Sequence, residues 1–199
     1  MRDESTRINL QTADLCFIDI ETTGSVFGYH EILDIGVNRT SRGGGRVLRE
    51  WGTRVRPLHP ERITPYAAER NGYSAAEWSN APLPSKDLWC EFNEIVAACV
   101  PVCHNPSFDR AFISLSAVAC GVSELAVDYH WIGTESLAWP LYTAGVLAEF
   151  SLSGLCRSFG LPQEPRPHTA LGGARACRSV YCSILERYRA ALGGAFIGG

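Results

Sequence analysis

Asp19 and Glu21 stand one residue apart at the end of a short apolar run, Leu15 to Ile20. Successive side chains of a strand point to opposite faces, so these two carboxylates project from the same face. Held together and taken from water, they are costly unless something neutralises them. A hard divalent cation, Mg²⁺ or Mn²⁺, does so with oxygen ligands. The plainer reading is a hydrated acidic pair at a strand end. Asp109 follows the apolar run Val100 to Cys103 and falls one turn into a stretch with helical spacing. By itself it is equally a first-turn acid favoured by the helix dipole. His104 and Asn105, just before it, also read as simple turn residues. His168 lies in Pro-Arg-Pro-His-Thr-Ala, ahead of the last helical stretch. As a general base at the mouth of a site it would take a proton from water.

These residues need a frame. Leu15–Ile20, Glu31–Asn38, Val47–Val55, Val100–Cys103 and Ala126–Ile132 read as five strands, with Ser41–Gly45 turning the second into the third. Helices are expected from Thr64, with Thr64 as cap and Pro65 at the first position, and over Ser85–Ala98. Further helices are expected over Ser107–Cys120, capped by Ser107 and stopped by Gly121, and over Thr134–Leu141, Ser151–Phe159 and Ala174–Ala191. The order predicts an α/β fold: a mixed five-stranded sheet, antiparallel early and parallel late, with helices on both faces. Residues 1–13 read as a flexible polar arm, 14–191 as one domain and 192–199 as a glycine-rich tail.

The bulk numbers agree. A chain of 199 residues, 46% apolar and 20% charged, suits one globular core. The net charge of −3 gives no global basic field. That is weak evidence against a nucleic-acid binder, since bound cations and a local patch can also hold phosphate. The eight cysteines, most of them in apolar runs, read as buried reduced thiols. The charged start has no signal-peptide pattern and no run is long enough to span a bilayer, so a cytoplasmic protein with no membrane partner is expected. Trp78, Trp89, Trp131 and Trp139 read as packing residues rather than as a stacking platform.

Phe17-Ile-Asp-Ile-Glu-Thr-Thr-Gly24, His104-Asn-Pro-Ser-Phe-Asp-Arg-Ala-Phe112 and His168-Thr-Ala-Leu-Gly-Gly-Ala174, in this order, resemble the three motifs of DEDDh-type 3′–5′ exonucleases of the DnaQ-like, RNase H-like fold. Ile63-Thr-Pro65 with Asn71-Gly72, and Ser151 to Cys156, fit the intervening pieces. The resemblance covers residues 14–190. It implies hydrolysis assisted by two divalent metals at the 3′ end of single-stranded DNA or RNA, releasing 5′-mononucleotides. It implies Asp19, Glu21 and Asp109 as metal ligands and His168 as general base. Thr22, Thr23, Asn105 and Phe108 are implied as contacts to the terminal nucleotide. No motif reports on the 2′-hydroxyl, so DNA and RNA stay open, as does any polymerase partner.

The resemblance breaks at one ligand. The third motif normally reads H-x-A-x-x-D-A, and its acid position is Gly173. Ile132-Gly-Thr134 departs similarly from I-D-T at Gly133, a position that is not usually a ligand. Gly173 leaves three readings open: a degenerate homologue that binds a 3′ end without cutting, an active enzyme with slack metal binding helped by water or by Glu164, or an altered copy of an active enzyme. An acid restored at 173 would then be expected to tighten metal binding.

Overall fold

The computed structural model describes residues 8–164 and 166–193. Residues 1–7 of the expected arm and 194–199 of the expected tail lie outside them. The expected five-stranded mixed sheet is present, in the order β3-β2-β1-β4-β5. Its strands are β1 (Leu15–Thr22), β2 (Ile32–Thr40), β3 (Val47–Arg54), β4 (Val100–Cys103) and β5 (Ile132–Gly133). The pairs β1–β2 and β2–β3 are antiparallel; β1–β4 and β4–β5 are parallel. The helices are α1 (Pro65–Asn71), α2 (Ala75–Trp78), α3 (Lys86–Val96), α4 (Pro106–Ala119), α5 (Thr134–Thr143), α6 (Leu152–Ser158) and α7 (Ala170–Ala191).

Strand alternation sorts β1 between two cores. Cys16, Ile18 and Ile20 pack with Leu88, Phe92, Ile95, Phe112 and Ile113 of α3 and α4. Leu15 and Phe17 point the other way, against Ala174, Cys177 and Tyr181 of α7. Asp19 and Glu21 are in phase with Leu15 and Phe17, so they emerge on the α7 side. The pairing of β1 with β4 ends at Phe17↔Val102, so the carboxyl end of β1 runs on without a β4 neighbour. A register shift between Glu21 and Thr22 bends the strand there. The two acids therefore border an open crevice at the carboxyl ends of parallel strands, where sites of open α/β sheets form.

Three local expectations need correction. The fifth strand is not Ala126–Ile132; only Ile132 and Gly133 join the sheet. Upstream, Ala126 N–H donates to Asn93 Oδ1 at 2.9 Å and His130 N–H to Asp128 Oδ1 at 2.8 Å, so side chains take bonds a ladder would use. Helix α4 starts at Pro106, whose fixed φ suits a first turn, and not through a Ser107 cap. Helix α7 starts at Ala170 rather than Ala174: Thr169 caps it by accepting from Gly172 N–H at 3.2 Å. The helix thus runs straight through Gly172 and Gly173. The Thr64 cap, with Pro65 following, is present as expected.

All eight cysteines are free. No helix among the described residues is long and apolar enough to cross a membrane. Trp78 and Trp89 are buried, but Trp139 is 54% exposed, in an aromatic group with Tyr142 and Phe150. Trp139 thus packs at the surface against the loop that carries Phe150.

Candidate active site

Helix α7 approaches the sheet unusually closely, and glycines make the room. Asp19 pairs across the sheet with Gly36, and Gly36 with Gly52, so all three face α7. A Cβ added to Gly36 would collide with the backbone of Ala170 and Leu171. The seat is fixed by Asp34, whose Oδ2 accepts from Ala170 N–H at 3.0 Å. From the helix side, the Asp19 carboxylate fills the space where a Gly173 side chain would be. Gly36 and Gly173 thus let the first turn of α7 press onto the sheet with the Asp19 carboxylate between helix and strand.

A cleft of ≈ 770 Å³ opens over this contact. Asp19, Glu21, Asp109 and His168 all line it, together with Thr22, Asn105 and Phe108. Sequence separation between these groups reaches from the first strand to the last helix, and the sheet's carboxyl edge brings them together. Thr23 differs from its expected place. It is fully buried, and its hydroxyl accepts from Glu31 N–H at 2.9 Å inside the turn after β1. Thr22 stays at the wall, with its hydroxyl donating to Gly24 O at 2.7 Å. Phe108 stacks in a small aromatic group with Phe27 and Phe112, at ring distances of 6.0 and 4.9 Å.

The acids are held in a poorly solvated place. Desolvation, then the charges of Asp109, Glu21 and Glu164, push the Asp19 carboxyl well above its usual range. Burial pushes Glu21 up to about 7, against the opposing charge of Arg70. Burial likewise pushes Asp109 up to about 8, with backbone hydrogen bonds pulling the other way. None of the three makes an ion pair among the described residues. His104 Nδ1 lies 3.0 Å from Thr134 Oγ1, and burial lowers its pKa to about 4.

His168 is held from two sides. Its N–H donates to Arg70 O at 3.0 Å, which ties the loop to α1. Its Nδ1 lies 3.3 Å from Glu164 Oε2, close enough for an ion pair but not aligned for a hydrogen bond. Ser151 and Ser153, in a stretch that matched the intervening pieces, also line the cleft, as do Arg70, Tyr66 and Gln163, of which the motifs gave no sign. The one signal for Arg70 was its place beside Asn71-Gly72 at the end of a capped helix.

A divalent cation fits the donor chemistry of this cleft. Three oxygen donors with raised pKa values and no cationic contact, plus a buried Glu164 Oε1 with no partner, are what such an ion would satisfy. The donors are not drawn into a closed cage: among the described residues no three His, Cys, Asp or Glu side chains are grouped tightly enough to hold a metal as they stand.

A family model described as Exonuclease, RNase_T, matches residues 16–181. A Mycobacterium tuberculosis protein (strain CDC 1551 / Oshkosh) with a provisional bifunctional exonuclease/endonuclease name is 29% identical over 186 residues, 90% of this chain. A PolC-type DNA polymerase III of Streptococcus pneumoniae (strain D39) is 27% identical over 107 residues, 54% of the chain. The chain spans only 28% and 7% of those two proteins. E. coli exonuclease I, solved with single-stranded DNA, superposes with a TM-score of 0.77 at 14% identity, covering 92% of this chain and 42% of that one. A 3′-exonuclease bound to a histone mRNA stem-loop superposes at 0.70 with 13% identity, covering 88% and 83%. The RNase H-like exonuclease fold is therefore shared.

Proposed function

Because the chain belongs to this exonuclease family, we propose that it is a 3′–5′ exonuclease that removes 5′-mononucleotides from the 3′ end of single-stranded DNA or RNA. One observation carries the reading: Asp19 and Glu21 of β1, Asp109 of α4 and His168 of the loop before α7 line one cleft. Asp19, Glu21 and Asp109 would hold Mg²⁺ or Mn²⁺, which when bound supplies a water of lowered pKa and charge stabilisation for the leaving oxygen. The raised carboxyl pKa values support this, since a bound cation returns such groups to their charged form.

His168 would act as the base. Its Nδ1 is turned to Glu164, which leaves Nε2 to take the proton from water. Glu164 beside Nδ1 would hold the ring with Nε2 toward the water. Thr22, Asn105 and Phe108 would seat the terminal nucleotide, with Phe108 offering its ring to a base. Thr23, buried in the turn, would shape that seat rather than touch substrate. Arg70, whose field reaches both Asp19 and Glu21, would lie near the phosphate.

The test uses 5′-labelled single-stranded DNA and RNA with Mn²⁺, Mg²⁺ or EDTA. Laddering from the 3′ end that needs metal and a free 3′-hydroxyl is the expected result. Equal cutting of circular single strands would overturn the polarity. A second reading, a 3′-end binding or regulatory module, is favoured by Gly173 and by the open arrangement of the acids. It requires binding in EDTA and no release of mononucleotides with either metal.

A further inference from the structure

The missing acid of the third motif has a candidate replacement from outside that motif. Glu164 lies in the loop between α6 and α7, and its side chain is only 11% exposed. It lines the same cleft as Asp19, Glu21, Asp109 and His168. Its charge raises the pKa of both Asp19 and Glu21, so the three groups share one field. Its Oε1 is buried with no hydrogen-bond partner, a costly state for a carboxylate oxygen.

The start of α7 shows where it lies. A Cβ on Gly172 would stand 3.5 Å from Glu164 Oε1, and one on Gly173 would collide with Asp19. The first turn of α7 is therefore bare at both positions, and a carboxylate from elsewhere lies over each. Negative charge at a helix N-terminus is favourable, which is where an acid at 173 would have put it. His168 is the neighbour of Glu164 in the cleft, with Nδ1 3.3 Å from Glu164 Oε2. Its side chain is 10% exposed, and its Nδ1 makes no hydrogen bond despite facing this group.

We propose that Glu164 is the fourth carboxylate of the cation site, supplied from the loop before α7 in place of an acid at position 173. The proposal rests on the exonuclease reading of the same cleft. It accounts for a motif that keeps His168, Ala170 and Ala174 while its acid position is glycine. One oxygen of Glu164 would face the cation and the other His168, so a single side chain would couple the metal to the base.

The test is Mn²⁺ binding to the full chain without nucleic acid, read by electron paramagnetic resonance of the free ion. The parent is compared with Glu164→Gln, with Asp19→Asn as a reference ligand loss, and with Glu69→Gln as a control for an exposed acid away from the cleft. Glu164→Gln is expected to weaken Mn²⁺ binding about tenfold or more, while Glu69→Gln stays within about twofold. Glu164→Asp keeps the charge one methylene further back and is expected to fall between parent and Gln. It also serves as the readout should Glu164→Gln not fold, which melting in EDTA would reveal. Parent-like Mn²⁺ affinity in Glu164→Gln, with Asp19→Asn weakened, overturns the proposal and leaves the exonuclease reading standing. A shifted pH–rate profile at unchanged Mn²⁺ affinity overturns it too, and makes Glu164 a positioning residue for His168. Failure of the parent to bind Mn²⁺, or no effect of Asp19→Asn, overturns the cation site itself.

Discussion

Asp19 occupies the space of the side chain that Gly173 lacks: a Cβ on Gly173 would come within 2.6 Å of Asp19 Cγ and nearer still to Oδ2. Position 173 is therefore not an empty ligand position. Any side chain there must first turn Asp19 aside. Gly173→Ala is expected to fold but to lose Mn²⁺ affinity, because it displaces a ligand and adds none. Gly173→Asp is expected to bind Mn²⁺ more tightly than Gly173→Ala, since it returns an oxygen for the one disturbed. Calorimetric titration of the two variants beside the parent checks both. Parent-like affinity in Gly173→Ala would show that Asp19 does not need this space.

Gly36→Ala is expected to be severely destabilising. The new methyl would meet the backbone of Ala170 and Leu171, which cannot swing away as a side-chain tip can. Overpacking against fixed backbone costs about 3 kcal/mol. Urea unfolding reads the loss directly. A change below about 1 kcal/mol would mean α7 can lift from the sheet without penalty.

Thr169→Ala removes the cap of α7, where the hydroxyl accepts from Gly172 N–H at 3.2 Å. Losing such a cap costs about 1 kcal/mol. The glycine pair in the first turn makes this helix start weak by propensity, so fraying there is expected to be visible in amide exchange of residues 170–173. Unchanged protection would show that Asp34 alone secures the helix start.

His168→Ala is expected to lower the exonuclease rate by about 10²- to 10⁴-fold, the usual range for a general base. Mn²⁺ affinity should change far less than it does in Asp19→Asn. An equal loss of both would make His168 a ligand rather than a base.

His104 sets an acid limit on stability. Its folded pKa is lowered to about 4 from 6.5, so the unfolded chain takes up the proton first as the pH falls. Its contribution is complete above pH 6.5 and is lost toward pH 4, about 3 kcal/mol in all. Asp109, Glu21 and Asp34, raised to about 8, 7 and 6, act in the opposite direction: without metal they favour folding as the pH falls. The His104 effect is therefore read as the difference between parent and His104→Asn melts in EDTA from pH 7 to pH 4. A flat difference would place the neutral His104 elsewhere than in this folded site.

The sequence by itself determined what depends on neighbours along the chain. Strand alternation put Asp19 and Glu21 on one face, and Thr64-Pro65 announced a capped helix. Ordered motifs gave the family and the sheet. It misread Ala126–Ile132, where Val127 alone of the apolar residues is buried, because Asn93 and Asp128 take backbone bonds there. It misread the start of α7 because two glycines argue against a helix by propensity alone. Only the tertiary structure decided that case. Gly36 on the sheet meets the backbone of Ala170 and Leu171, and Gly173 on the helix meets the Asp19 side chain, contacts between residues far apart in sequence. The same contacts decide which acids share the cleft. Glu164 and Asp19 are joined there by folding, because their charges act through space and not along the chain.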